Sequence, residues 1–149
     1  TPWAALTYFL GLEKMFPRFP LFAQYHQRYK DLSAVHEIDS PSGAFFLVRK
    51  TVIDTVGFLD EDFFMYGEDL DWAYRIKQSG WKIFYNPAVS ALHRKKQSGR
   101  AHADPTIRKQ TRRYFYETMK LFYKKHYAKR YGFVLSALVL FGIRLRSLL

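Results

Sequence analysis

Cysteine is absent from the chain, which excludes disulfides and thiolate metal sites alike. No apolar stretch reaches the roughly 20 residues needed to cross about 30 Å of hydrocarbon; the longest, residues 133–143, is broken off by Arg144 and Arg146. No basic segment precedes an apolar core at the start, so no signal peptide is expected. The chain opens on Thr1 rather than Met, which suits a piece of a longer protein. Acid is scarce in the second half. Residues 94–149 hold two Asp/Glu against fifteen Lys/Arg, net +13, whereas residues 1–93 hold eleven against nine, net −2. What is plentiful is apolar and aromatic content, 48% and 19% of 149 residues. That argues against disorder and gives enough material for one domain.

The most informative stretch is FFMYGEDLDWAYRIKQSGW, residues 63–81. A bulky apolar run ends at Gly67. Glu68, Asp69 and Asp71 follow within four residues. Trp72, Ala73 and Ile76 share the inner face of a helix, and Gly80 is placed to end it. The acids thus fall in the first turn, where free N–H groups and the helix dipole favour negative charge. Capping explains them on spacing alone. A carboxylate at the mouth of a site, acting as a general base toward a hydroxyl, is the functional alternative.

Around this stretch the pattern predicts a short helix over residues 1–16 and a long ordered loop over 18–34. His26 and His36 have no partner at ligand spacing and read as ordinary surface histidines. Residues 43–48 read as a buried strand, 51–56 as a short helix stopped by Gly57, and 57–63 as an acidic loop. Strands are predicted over 81–85 and 89–92, the last ending at His93. Beyond a polar segment, residues 106–131 read as one long helix with Phe115, Met119, Phe122 and His126 on one side. Residues 133–143 suit an amphipathic helix lying in a membrane interface, with part of a membrane hairpin as the alternative.

In this order, SGAFFLVRK, GFLDEDFFMYGEDLDWAYRI, GWKIFYNP and the His93–Ser98 pair resemble the family 2 glycosyltransferases, most of all bacterial rhamnosyltransferase-like members that build surface polysaccharides. The resemblance covers about residues 38–98 and continues loosely into the basic tail. It implies an α/β fold, the C-terminal half of a GT-A nucleotide-diphospho-sugar transferase. It implies inverting transfer from a nucleotide-sugar donor to a hydroxyl of a glycan or lipid-linked acceptor. Asp69 takes the position of the general base, and Glu68 fixes local geometry. Asp71 supports the helix start or the acceptor. Gly43 and Ala44 match a small pair beside the acceptor pocket. Trp72 is a core residue by its face, with a sugar-stacking platform as the alternative. His93 matches a position that completes coordination of a divalent metal, Mg or Mn, at the donor diphosphate; a histidine satisfied at a strand end is the plain reading. Ser98 fits the polar residue that follows it.

Two departures qualify the likeness. The family's first half, with its β-α-β nucleotide-binding portion and DxD motif, is missing. The DxD spelling at Asp60–Asp62 stands just before the acidic helix, the wrong place, and is not assigned to metal. Gln110 to Tyr114 spells QxxRY, near a motif of processive synthases, and is read as coincidence. Three segments are therefore expected: 1–37, an N-terminal helix and loop; 38–98, the acceptor-side catalytic half; and 99–149, a basic amphipathic helical tail. The tail's charge calls for an anionic partner. Peripheral attachment to the cytoplasmic face of the cell membrane is the expectation. A nucleic-acid clamp is the rival, but no groove or motif for it is present. A membrane adaptor without catalysis is a third reading.

Overall fold

The computed structural model describes residues 1–92 and 104–148. Their element order is α1 (Pro2–Phe9), α2 (Leu12–Met15), β1 (His36–Ile38), α3 (Lys50–Val56), α4 (Glu68–Gln78), β2 (Ile83–Tyr85), α5 (Pro105–His126) and α6 (Phe133–Leu148). The chain divides into two units, Thr1–Ile38 with Phe84–Ser90, and Asp39–Ile83 with Ala91–Leu149. The two helices of the basic tail thus fall in the same unit as the acidic helix.

In the first unit the single predicted helix is two, because Gly11 takes a left-handed φ of 75° between them. Tyr8 stacks on Tyr25 at 4.4 Å, and the Trp3 indole donates to the Leu21 carbonyl at 2.9 Å. Glu13 is buried. It is held by His26 at 3.0 Å and Arg28 at 3.4 Å, as a buried carboxylate must be. His26 is therefore a partner of a buried acid rather than a plain surface histidine. Residues 18–34 are turns without regular structure, as their mixed Pro, aromatic and basic content predicts. β1 pairs with β2 in a two-stranded sheet, and His36 lies against Tyr85 at 5.1 Å.

The second unit is helical. α3 ends where Gly57, at φ 82°, donates to the Ile53 carbonyl. α4 ends with Gly80 at φ 85° donating to the Lys77 carbonyl. Its apolar side, Ala73 and Ile76, is buried with Val52, Phe63 and Ile83. α5 starts at Pro105, capped by the Asp104 carboxylate on the Thr106 and Ile107 N–H groups; Asp and a first-turn Pro are favoured there. α6 doubles back along α5. Tyr123 meets Ser136 at 3.1 Å and Arg112 reaches the Arg146 carbonyl at 3.3 Å.

Two predicted strands are absent. Residues 43–45 form a turn and bend, and 46–49 have no regular structure. Phe45 and Leu47 face outward while Phe46 and Val48 are less exposed, so the period of a strand is kept without its pairing. A lone strand leaves its backbone polar groups unmatched, and no described strand lies beside this one. Residues 89–92 are likewise irregular and exposed. The α/β class expected from the sequence is represented, among the described residues, by helices and one small sheet.

Candidate active site

The site begins at a strained turn. Tyr66 adopts a left-handed φ of 69° and Gly67 follows at 80°. Such a conformation is rare for a bulky side chain and costs on the order of 1–3 kcal/mol, so it persists only where neighbours enforce it. Here the Thr118 hydroxyl donates to the Met65 carbonyl at 3.1 Å, and the Tyr66 ring meets Phe115 edge-on at 6.0 Å. Gly67 is obligatory: a Cβ there would stand 2.3 Å from the Thr118 methyl.

Gly67 is the N-cap of α4 and has no side chain to cap with. Asp69 fills part of that gap. Its Oδ1 accepts from the Leu70 N–H at 2.7 Å, one of the first-turn donors that have no helical partner. Its Oδ2 accepts from the Gly43 N–H, also at 2.7 Å. Both oxygens of Asp69 are thus held by backbone N–H groups, one in its own helix and one in the 43–45 turn. Gly43 is small for a local reason: a Cβ would lie 3.3 Å from the Asp69 side chain. Ala44 is exposed in the same turn. Glu68 Oε2 and the Tyr66 hydroxyl are both buried without a hydrogen-bond partner. The two residues flank Gly67 in sequence, and each lies within three positions of Asp69.

Asp71, expected at the helix start or the acceptor, is fully buried. Arg75 Nε donates to one oxygen at 2.7 Å and His126 Nε2 to the other at 2.6 Å. Arg75 also donates to the carbonyls of Val56 and Phe58, closing the C-terminus of α3. Asp71 therefore ties α3, α4 and α5 together and has no face open to an acceptor. Trp72 donates from its indole to the Gly57 carbonyl at 2.8 Å and meets Phe46 edge-on at 5.5 Å. Its half-buried position fits the core role read from its spacing. Asp60 accepts from the Asp62 N–H and pairs with Lys125, which also lies over the Phe63 ring.

His93 and Ser98 lie outside the described residues. Among the described residues no three His, Cys, Asp or Glu side chains converge as a metal site. An open cavity of about 270 Å³ lies between the 62–65 loop and α5, lined in part by Asp62, Phe64, Tyr114 and Thr118. The sequence pointed to neither Thr118 nor the His126–Asp71 pair. Thr118 is a polar interruption of an aromatic stripe. Asp71 and His126 are separated by 55 positions, beyond any local spacing rule.

The family model described as glycosyl transferase family group 2 matches residues 12–149. The chain is 36% identical over 87 residues to an N-acetylglucosaminyl-diphospho-decaprenol L-rhamnosyltransferase of Mycobacterium tuberculosis, covering 58% of this chain and 28% of the relative. It is 38% identical over 56 residues to the rhamnosyltransferase WbbL of Escherichia coli, covering 38% and 21%. It is 30% identical over 56 residues to the low-salt glycan biosynthesis hexosyltransferase Agl10 of Haloferax volcanii, covering 38% and 18%. The chain thus matches less than a third of the length of these relatives. No solved structure matches it. The family match takes in nearly the whole chain, the Asp69 turn and both tail helices included, and the chain belongs to glycosyl transferase family group 2.

Proposed function

We propose that this chain is the base-bearing, acceptor-side part of an inverting glycosyltransferase. The observation that carries the reading is Asp69, fixed in the first turn of α4 by N–H groups from two directions inside the span that matches the family. Its carboxylate accepts the proton of an acceptor hydroxyl as that oxygen bonds to the anomeric carbon of the donor. The bond from that carbon to the nucleoside diphosphate breaks, the electron pair leaves with the diphosphate, and the configuration inverts. Each carboxylate oxygen keeps a second lone pair beside its N–H bond, so anchoring and proton transfer coexist. The unmet Glu68 oxygen and Tyr66 hydroxyl suit a hydroxylated ligand, which both donates and accepts.

The donor-binding part is assigned to polypeptide beyond this chain. The short share of its relatives supports this, as do the unpaired run 43–48 and the outward Phe45, Leu47 and Phe64. The names of the relatives support a rhamnosyl or other hexosyl donor and a glycan acceptor on a polyprenyl diphosphate. His93 is assigned to the divalent ion at the donor diphosphate, which would offset charge on the leaving group. In the polypeptide with its donor-binding part, His93→Ala should raise the metal concentration that activity requires, and an unchanged titration removes the assignment.

α6 is assigned to an anionic membrane surface, at the cytoplasmic face of the cell membrane. No described helix is long and apolar enough to cross a membrane. Phe133, Val134, Leu138 and Phe141 are exposed on α6, beside a strongly basic α5. This arrangement suits a helix lying in the interface.

The function is tested by supplying nucleotide-activated rhamnose and a polyprenyl-linked glycan to the polypeptide with its donor-binding part. Transfer with inverted anomeric configuration, read by NMR of the product, is expected. Retained configuration, or no transfer from any nucleotide hexose, contradicts the proposal.

A further inference from the structure

One face of α5 runs along the whole acidic segment. Phe115, Thr118, Phe122 and His126 are spaced three, four and four apart, so they form a single stripe. Each meets the segment that carries Asp69. Phe115 meets the Tyr66 ring. The Thr118 hydroxyl holds the Met65 carbonyl, and its methyl fills the space over Gly67. Phe122 meets Tyr74 edge-on at 5.8 Å. His126 donates to the buried Asp71 and packs on Tyr74 at 4.3 Å. These side chains hold Met65, Tyr66 and Gly67 ahead of Asp69, and Asp71 and Tyr74 behind it.

We propose that Thr118 and His126 are positioning residues for Asp69, so that α5 acts as a strut for the reacting helix as well as part of a basic tail. The physical reason lies in the turn. Tyr66 holds an unfavourable left-handed conformation, and the start of α4 has no side-chain cap at Gly67. Released from Thr118, the turn relaxes toward ordinary dihedrals and changes where α4 begins. Asp69 is in that first turn, so its hydrogen bond to Gly43 breaks as the turn relaxes. His126 acts at the other end, where Asp71 is the only acid of the first turn that is fully buried. Without His126 one oxygen of Asp71 is left unmatched in the interior, which pulls the helix start toward water.

The inference rests on the reading of Asp69 as the base, and the test separates the two. The Gly43 amide is a built-in reporter, because its bond to Asp69 Oδ2 spans 26 positions. Its solvent-exchange rate is measured by NMR in the chain, and transfer kinetics are measured in the polypeptide with its donor-binding part. Thr118→Val keeps the shape and removes the hydroxyl. It should speed Gly43 exchange about tenfold, the scale of one broken hydrogen bond. Thr118→Ser should restore most of the protection. His126→Leu should act like Thr118→Val, and His126→Gln, which keeps a donor, should act less. In transfer, Thr118→Val should lower kcat by roughly tenfold to a hundredfold with donor KM unchanged, as expected for a misplaced reacting group. Ser136→Ala loosens α6 from α5 and serves as the control; it should leave Gly43 alone. The strut is overturned if Gly43 exchange is unchanged in Thr118→Val, or if Ser136→Ala accelerates it equally. If Gly43 exchange rises while kcat holds, the strut stands and the assignment of Asp69 as base fails.

Discussion

Gly67 has no room for a side chain and no ordinary backbone for one. At φ 80° an alanine is strained, and its Cβ would stand 2.3 Å from the Thr118 methyl. Gly80 has a similar φ but open space around it. The comparison separates the backbone cost, about 1 kcal/mol, from the steric one. Gly67→Ala should therefore destabilise the fold by about 2–4 kcal/mol, against about 1 kcal/mol for Gly80→Ala, in urea melts. Equal losses at both would show that Thr118 yields freely and that the turn is not clamped. Tyr127 makes a second prediction. Burial, reinforced by the neighbouring phenols of Tyr74 and Tyr131, pushes its hydroxyl up to about 12. The folded protein then holds that proton where the unfolded chain, near the ordinary value of about 10, has lost it. The associated stability is intact below about pH 10 and is lost as pH rises from about 10 through 12, about 2 kcal/mol in all. Tyr127→Phe should flatten that part of the alkaline decline in thermal midpoint. An identical decline in the variant would place the sensitivity elsewhere.

At the level of elements, α4 was legible because every local signal agreed: Gly67, three acids in the first turn, an apolar inner face and Gly80 at the end. α3 was legible for the same reason, with Gly57 as its stop. The run 43–48 misled because a short apolar, aromatic-rich run following a turn is that of a buried strand, while strand formation depends on a neighbour that the run itself cannot supply. Asp69 and Gly43 meet across 26 positions, which neither local motif could show by itself. The pairing of Asp71 with His126 was not legible because the two are 55 positions apart. The α6 helix carries the next prediction. Its exposed Leu138 and Phe141 would be buried in the interface, and each buried apolar side chain is worth about 1.5–3 kcal/mol. Liposomes with anionic lipid should float the intact chain at moderate salt. Leu138→Asp with Phe141→Asp should leave only weak, salt-labile binding. Retention of the intact chain in the soluble fraction at low salt would remove the membrane from the account, and salt-sensitive capture by oligonucleotides would favour the nucleic-acid reading of the basic helix.

On the scale of the molecule, the charge asymmetry divides the sequence near residue 94, whereas folding does not. The second unit joins the acidic segment to the basic helices, and Lys125–Asp60 and His126–Asp71 are pairs across that charge boundary. Composition alone suggested an appended tail because opposite charges far apart in sequence look like separate functions until packing brings them together. The most direct test of the central claim is single-turnover transfer by the Asp69→Asn variant of the polypeptide with its donor-binding part, alongside donor binding by calorimetry. An amide keeps the size of the carboxylate and an oxygen to accept from Gly43 but takes up no proton. The account predicts unchanged donor affinity and a transfer step slowed by roughly a hundredfold or more. Transfer at close to the original rate would contradict it.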